Sequence, residues 1–303
     1  MSKQQTDWQR VEQLWGTDVL AHLRQQRVGV VGLGSGGGFV ALSLAMSGVG
    51  HFVLIDDDVL SPANVVRHVA DLRDVGRPKV HVVADLLRQR NPEVDVQAVV
   101  GRVEAHTALL ADVDIVIAGV DGERPKYAIN QACLEHKRVA VYAGVYERGE
   151  GGDVCIIYPD RGPCYACWAQ QVRADTAEAP AEELDYGMIG PDGTLAAEPG
   201  LWLDVVRVAA VQADVALSHL LAPTGQRRPL PANTIVLVNT YLEIFEGQTA
   251  LPYTAEWVKV ARNPQCLVCR PHHAHTAAQT LSLQELAALE HVTIEEEEDE
   301  SSL

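Results

Sequence analysis

Apolar residues in this chain gather in short runs parted by amphipathic, helix-patterned stretches, and that alternation predicts an α/β protein. Residues 7–26 read as one or two short helices. A strand at 28–31 follows, then a glycine-rich stretch at 32–38, a helix to about residue 46 and a second strand at 51–55. A strand, glycine loop, helix and strand in that order open a doubly wound, Rossmann-like sheet. The spacing predicts a helix over 79–90 that stops before Asn91-Pro92, since a residue preceding proline is pushed out of the helical region. Apolar runs at 96–100, 113–118 and 138–143 read as further strands, with a helix at 124–136 between the last two. Strands that alternate with helices pair in parallel, so the N-terminal half predicts a mostly parallel sheet.

The alternation breaks after about residue 145. Residues 149–153 read as a turn, 154–158 as a strand and 159–167 as a loop bounded by proline and glycine. Residues 168–200 are expected to form a mobile crossover loop, acidic and rich in Ala, Pro and Gly from 173 onward. Structureless segments of that length inside a domain are usually functional or disordered. The apolar stretch 201–221 is interrupted by Asp204, Arg207, Gln212, Asp214 and His219, which fall mostly to one side at helical spacing. It reads as a packing helix and not as a membrane span. Strands near 234–239 and 241–245 and a short helix at 282–289 complete the elements. The unbroken acidic run at 295–300 marks residues 291–303 as a disordered tail.

With 303 residues, 47% of them hydrophobic, the chain has ample material for a buried core. Its first ten residues are polar and lack the apolar core of a signal peptide, so a soluble, cytoplasmic protein is expected. The net charge of −17 argues against a nucleic-acid partner, which needs a basic surface. Any anionic substrate must therefore be held by a few well-placed cations.

Candidate chemistry begins with Gly32, Gly34 and Gly37, which fit G-x-G-x-x-G directly between a strand and a helix. Glycines there let the backbone approach phosphate groups whose charge meets a helix N-terminus. Asp56, ending the next strand, stands where an acid takes ribose hydroxyls. These features predict an adenine nucleotide and leave NAD and ATP both open. Beyond Asp56 come Asp58, Asn64, Arg67 and Lys79. A dehydrogenase does not need that gathering of polar and cationic groups, whereas cleavage of a triphosphate must neutralise a leaving pyrophosphate. Asp121 follows a strand and could act chemically or cap the next helix. Four of the six cysteines form two C-x-x-C pairs, Cys164/Cys167 and Cys266/Cys269, a pattern that favours metal over disulfide. Four thiolates around zinc would clip the C-terminal segment to the domain; a redox dithiol or reduced, idle cysteines are the other readings. Cys133 and Cys155, in a predicted helix and strand, read as buried inert thiols.

These residues carry a resemblance. Arg10 with Leu14-Trp15-Gly16, Gly32-Leu33-Gly34-Ser35-Gly36-Gly37, Asp56-x-Asp58, Asn64-x-x-Arg67, Gly76-x-Pro78-Lys79, Asp121, Asn130-x-x-Cys133 and both cysteine pairs run in order from residue 10 to residue 269. The set resembles the ThiF/MoeB family of adenylyltransferases, bacterial relatives of ubiquitin-activating enzymes. The resemblance implies N-terminal helices over 1–27 and an adenylation domain over 28–290. It implies ATP-dependent adenylation of the C-terminal carboxylate of a ubiquitin-like or sulfur-carrier protein by a homodimer. Gly32, Gly34, Ser35 and Gly37 would line the nucleotide, with Asp58 beside them. Asp56 would hold the ribose, Asn64, Arg67 and Lys79 the phosphates, and Asp121 a magnesium ion. Arg10 would reach the partner subunit's site. Ser35 replaces a common Gly, Asp7 a usual Arg, Val11 a Gln, Gly122 a frequent Asn and Lys126 a frequent Arg; none of these removes a main catalytic group. Activation of a peptide carboxylate in antibiotic biosynthesis, or an inactive dimeric nucleotide-binding scaffold, are the alternatives. The loop acids Asp175, Glu178, Glu182, Glu183 and Asp185 would guide the partner's tail or simply be solvated.

Overall fold

The computed structural model describes residues 7–172, 200–245 and 247–269. The expected helix at 282–289, the acidic tail and most of the crossover loop with its acids lie outside these residues. Two short helices, α1 (Gln9–Trp15) and α2 (Thr17–Gln25), precede β1 (Arg27–Val31). Then follow α3 (Ser35–Met46), β2 (His51–Asp56), a single turn α4 (Pro62–Val65), α5 (Lys79–Arg90) and β3 (Asp95–Val100). The nucleotide-type half ends with β4 (Ile115–Ala118), α6 (Glu123–Glu135) and β5 (Val139–Val145). α3 begins at Ser35, so Gly36, Gly37 and Gly38 lie in its first turn and not in a loop as their composition predicts. Close packing there outweighs the poor helix propensity of glycine.

The remaining strands are β6 (Gly151–Ile157), β7 (Thr234–Val238), β8 (Leu242–Phe245), β9 (Gln248–Ala250) and β10 (Ala255–Val258). Eight strands form one sheet in the order β10-β7-β6-β5-β4-β1-β2-β3, and β8 and β9 form a separate hairpin. From β3 to β5 all neighbours are parallel; β5–β6, β6–β7 and β7–β10 are antiparallel. The expected turn at 149–153 is shorter than its glycines imply. Gly151 and Gly152 are paired strand residues, opposite Val238 and Leu237. The stretch expected to be loop at 159–172 contains a helix, α7 (Tyr165–Val172), because Tyr165 and Trp168 bury almost completely against the sheet.

Helices cover both sheet faces, which is why the inner strands β1 and β4 are apolar almost throughout, whereas the edge strand β3 alternates at its start. α3, α5 and α8 (Trp202–Leu221) cover one face, around Val30, Leu54, Ile117 and Val154. α6 and α7 cover the other, around Val31, Val116, Tyr142 and Cys155. α8 is long and apolar enough by composition to cross a membrane, but its residues from Val208 to Leu221 are largely buried against α3 and the sheet. Gln212 is part of that buried side, not of the polar face that spacing predicts. Its Nε2 donates to the Ala118 carbonyl at 3.1 Å, at the end of β4, and to the Val141 carbonyl within β5 at 3.0 Å.

Candidate active site

The parallel strand order 3-2-1-4-5 places a crevice between the ends of β1 and β4, the usual ligand position in such sheets. Gly32 leaves β1 with φ +83°, a conformation that disfavours any side chain. A Cβ on Gly32 would also meet the Gly119 carbonyl oxygen at 2.6 Å, and one on Gly37 would run into the Gly32 carbonyl. Three backbones therefore interlock at Gly32, Gly37 and Gly119. Gly119 has no motif to announce it in the sequence; it is found only once β4 lies beside β1. Gly34, by contrast, faces open space. Ser35 starts α3 beside it, so the open glycine adjoins a helix N-terminus, an arrangement that favours negative charge.

Asp56, at the end of β2, accepts hydrogen bonds from the Leu33 N–H (2.5 Å) and the Asp58 N–H (2.8 Å). Burial pushes its carboxyl above the ordinary value, opposed by those two N–H groups and by the charge of Lys79. Asp56 thus ties β2 to the glycine turn. His68, a buried residue invisible to periodicity, grips the same turn. Its Nε2 lies 2.7 Å from the Leu33 carbonyl oxygen, and its Nδ1 accepts from the Ala70 N–H at 3.0 Å.

Lys79, first residue of α5, is 7% exposed and donates from Nζ to the Asp58 carboxylate at 2.6 Å. The Asp58 carbonyl also accepts from the Lys79 N–H at 3.0 Å, which fixes the lysine beside the end of β2. Asn64 closes the α4 turn, its Oδ1 accepting from the N–H and the hydroxyl of Ser61, both at 3.0 Å. Arg67 follows this turn, and among the described residues its guanidinium has no hydrogen bond or ion pair.

Asp121 is exposed, one residue beyond Val120, whose side chain abuts Gly32. The N-cap of α6 is Gly122, so Asp121 stands one residue before the cap position. Behind it, in the first turn of α6, the buried Lys126 ammonium donates to Glu123 at 3.1 Å. A buried cation near a helix N-terminus opposes the helix dipole, and the Glu123 carboxylate offsets it.

Arg10 is not brought to this edge. α1 and α2 sit at the opposite ends of the strands: the Trp8 ring lies against Gly48, just past α3, and the Gly50 N–H donates to the Leu23 carbonyl. α3 has 12 residues and so separates that end from Ser35 by about 18 Å. Arg10 is exposed on α1 and distant from Asp56 and Asp121 of its own chain.

The two cysteine pairs do meet. Their four sulfur atoms lie within 4.8 Å of one another, with 3.9 Å between Cys164 and Cys167, 3.8 Å between Cys164 and Cys266 and 3.4 Å between Cys167 and Cys269. A tetrahedral zinc with 2.3 Å bonds needs sulfur separations of about 3.8 Å, so the set fits that ion. None of the cysteines is in a disulfide. Burial opposes ionisation of Cys266, yet the N–H groups of Cys269 and Val268 and the neighbouring thiols hold it at about 7. Cys133 and Cys155 are buried as expected, and burial pushes the Cys133 thiol up to about 12.

The chain matches the ThiF family over residues 7–278. It is 30% identical over 257 residues to the SAMP-activating enzyme E1 of Haloferax volcanii, covering 84% of each chain. It is 29% identical to the molybdopterin-synthase adenylyltransferase of Salmonella typhimurium, over 82% of this chain and 88% of that one. Among solved structures it resembles MccB of E. coli, with a TM-score of 0.66 at 22% identity over 89% of this chain and 73% of that one; MccB has also been solved with ATP and with MccA. That likeness is one of fold. With the family match running almost end to end over a sheet whose crevice holds this glycine turn, the chain belongs to the ThiF family.

Proposed function

We propose that this chain adenylates the C-terminal carboxylate of a ubiquitin-like or sulfur-carrier protein with ATP, as a cytoplasmic homodimer. The observation that carries the reading is the crevice between β1 and β4, where an open glycine turn, Asp56, Lys79 and the Asp121 loop converge. The names of its relatives, an E1 and an adenylyltransferase, support the same chemistry.

In this reading Gly32, Gly34, Ser35 and Gly37 shape the phosphate turn and Asp56 takes the ribose hydroxyls. Arg67, Asn64 and Lys79 hold the phosphates, with Asp58 keeping the Lys79 ammonium in place. A carboxylate oxygen of the carrier attacks the α-phosphorus, the bond to the β-phosphate bridging oxygen breaks, and pyrophosphate leaves. No general base is needed, because a terminal carboxylate is already ionised near neutral pH. The protein's contribution is positioning and neutralisation of the charge that builds on the leaving group. A magnesium ion, when bound, would supply further neutralisation, and the exposed Asp121 is the residue that would hold it. Since Arg10 lies on the far edge of its own chain, only a second copy could bring it to the crevice. Zinc on the four cysteines would be structural, the ligand set being complete without an open position.

Carrier-dependent exchange of pyrophosphate into ATP tests the assignment. Asp121→Ala and Arg67→Ala should each abolish it in folded protein, and exchange that survives both changes discards the reading. The likeness to MccB favours a peptide carboxylate as second substrate class. Exchange driven by a short peptide but not by a β-grasp carrier would select it.

A further inference from the structure

The Leu33 carbonyl and the Gly34 N–H belong to one peptide plane, in which they point in opposite directions. His68 holds the Leu33 oxygen from one side at 2.7 Å. The Gly34 N–H is therefore aimed the other way, on the residue whose surroundings are open and which precedes the first turn of α3. The Leu33 N–H, in the preceding plane, is held by Asp56. The two planes of the glycine turn are thus set by two side chains, one acidic and one imidazole. The imidazole can do this in only one form. Its Nδ1 receives the Ala70 N–H at 3.0 Å and so carries no proton, which leaves Nε2–H to donate to Leu33.

We propose that His68 is a positioning residue that aims the Gly34 N–H at the nucleotide phosphates, and that it does so only as the neutral Nε2–H tautomer. The inference rests on the nucleotide reading given above and adds to it a dependence on acid. A second proton on the ring would set Nδ1–H against the Ala70 N–H, donor facing donor, and push the ring off the turn. The charged groups facing the ring are Lys79, at the start of α5, and Asp74, in the turn before it; α3 and its approach present the Leu33 carbonyl and Gly38. Burial and Lys79 disfavour the imidazolium, while the Leu33 carbonyl and Asp74 favour it, with burial the largest. The ring is consequently neutral at physiological pH and the turn is set for binding.

The test uses the full chain with magnesium and a non-hydrolysable ATP analogue, titrated calorimetrically across the acid range. His68→Gln can both donate to Leu33 and accept from Ala70 but cannot titrate. It should bind the analogue within about twofold of wild type at neutral pH, because both hydrogen bonds are kept. Wild type should weaken on acidification more than His68→Gln does; the nucleotide's own titration is common to both and cancels in the ratio. His68→Leu should bind about tenfold more weakly at every pH, the fold-change of a lost backbone hydrogen bond. Nitrogen chemical shifts of the wild-type ring should report the Nε2–H tautomer, whether or not the leucine variant folds. An identical acid response in wild type and His68→Gln, or an Nδ1–H ring, overturns the proposal. Wild type that binds no nucleotide at any pH overturns the adenylation reading itself, and the inference with it.

Discussion

The hydroxyl of Tyr165 lies 3.1 and 3.0 Å from the two carboxylate oxygens of Glu123, joining the cysteine cluster to the helix that follows Asp121. Tyr165 stands between Cys164 and Cys167, and its N–H donates to Asn130 Oδ1 at 2.9 Å. Glu123 opens α6 and also receives the buried Lys126 ammonium. One tyrosine thus bolts α7 to α6 through its backbone N–H and its hydroxyl. Tyr165→Phe removes only the hydroxyl and keeps the stack on Tyr142, whose centroid is 4.4 Å away. Stability should fall by about 1 kcal/mol in urea denaturation, and Lys126 should become more reactive towards amine-labelling reagents by mass spectrometry. Unchanged labelling would separate Tyr165 from Lys126.

Arg10 is expected to serve the partner subunit. Arg10→Ala and Asp121→Ala proteins should each be inactive in pyrophosphate exchange. Mixed and allowed to exchange subunits, they should regain about a quarter of wild-type activity, from heterodimers with one intact site. Subunit exchange shown by native mass spectrometry, with no recovery, removes Arg10 from the site.

Metal analysis should return about one zinc per chain for a four-cysteine site. Cys266→Ser should lose it and unfold at a lower temperature, while nucleotide affinity changes little. A metal-free variant as stable as wild type would rule out the clip.

No thioester should form between enzyme and carrier. Residues 168–265 contain no cysteine, and four of the six thiols converge in the cluster. Cys133 is both buried and pushed up to about 12, and Cys155 is fully buried in β6. A nucleophilic thiol needs exposure and a lowered pKa. A non-reducing gel after incubation with ATP, magnesium and carrier should show no adduct that disappears with thiol reductant. Such a band, absent in Cys133→Ala, would make that thiol the acceptor.

The parallel half of the fold is legible in the sequence because its elements carry strong local signals. α5 spans the predicted 79–90, bounded by Pro78 and Asn91-Pro92. Asp56 is legible for the same reason: a strand and a glycine turn set its position. α7 is hidden, since Gly162-Pro163 reads as loop and the helix owes its place to the burial of Tyr165 and Trp168. β10 is a four-residue edge strand whose pairing with β7 no periodicity announces. His68 and Gln212 are hidden differently. Each looks like an ordinary polar residue until the fold brings two unrelated backbone groups to it, the Leu33 carbonyl and Ala70 N–H for one, the Ala118 and Val141 carbonyls for the other.

The cluster of Cys164, Cys167, Cys266 and Cys269 bears on the order in which the chain can fold as it leaves the ribosome. Residues through Val145 contain all five parallel strands and the glycine turn, so this half can condense while the rest is still being made. The ring of chain between the cysteine pairs, which carries α8 and β7, cannot close until Cys269 has emerged. Gln212 therefore reaches the carbonyls of β4 and β5 late, and vectorial synthesis supplies the nucleotide edge before the brace and the lock that hold it.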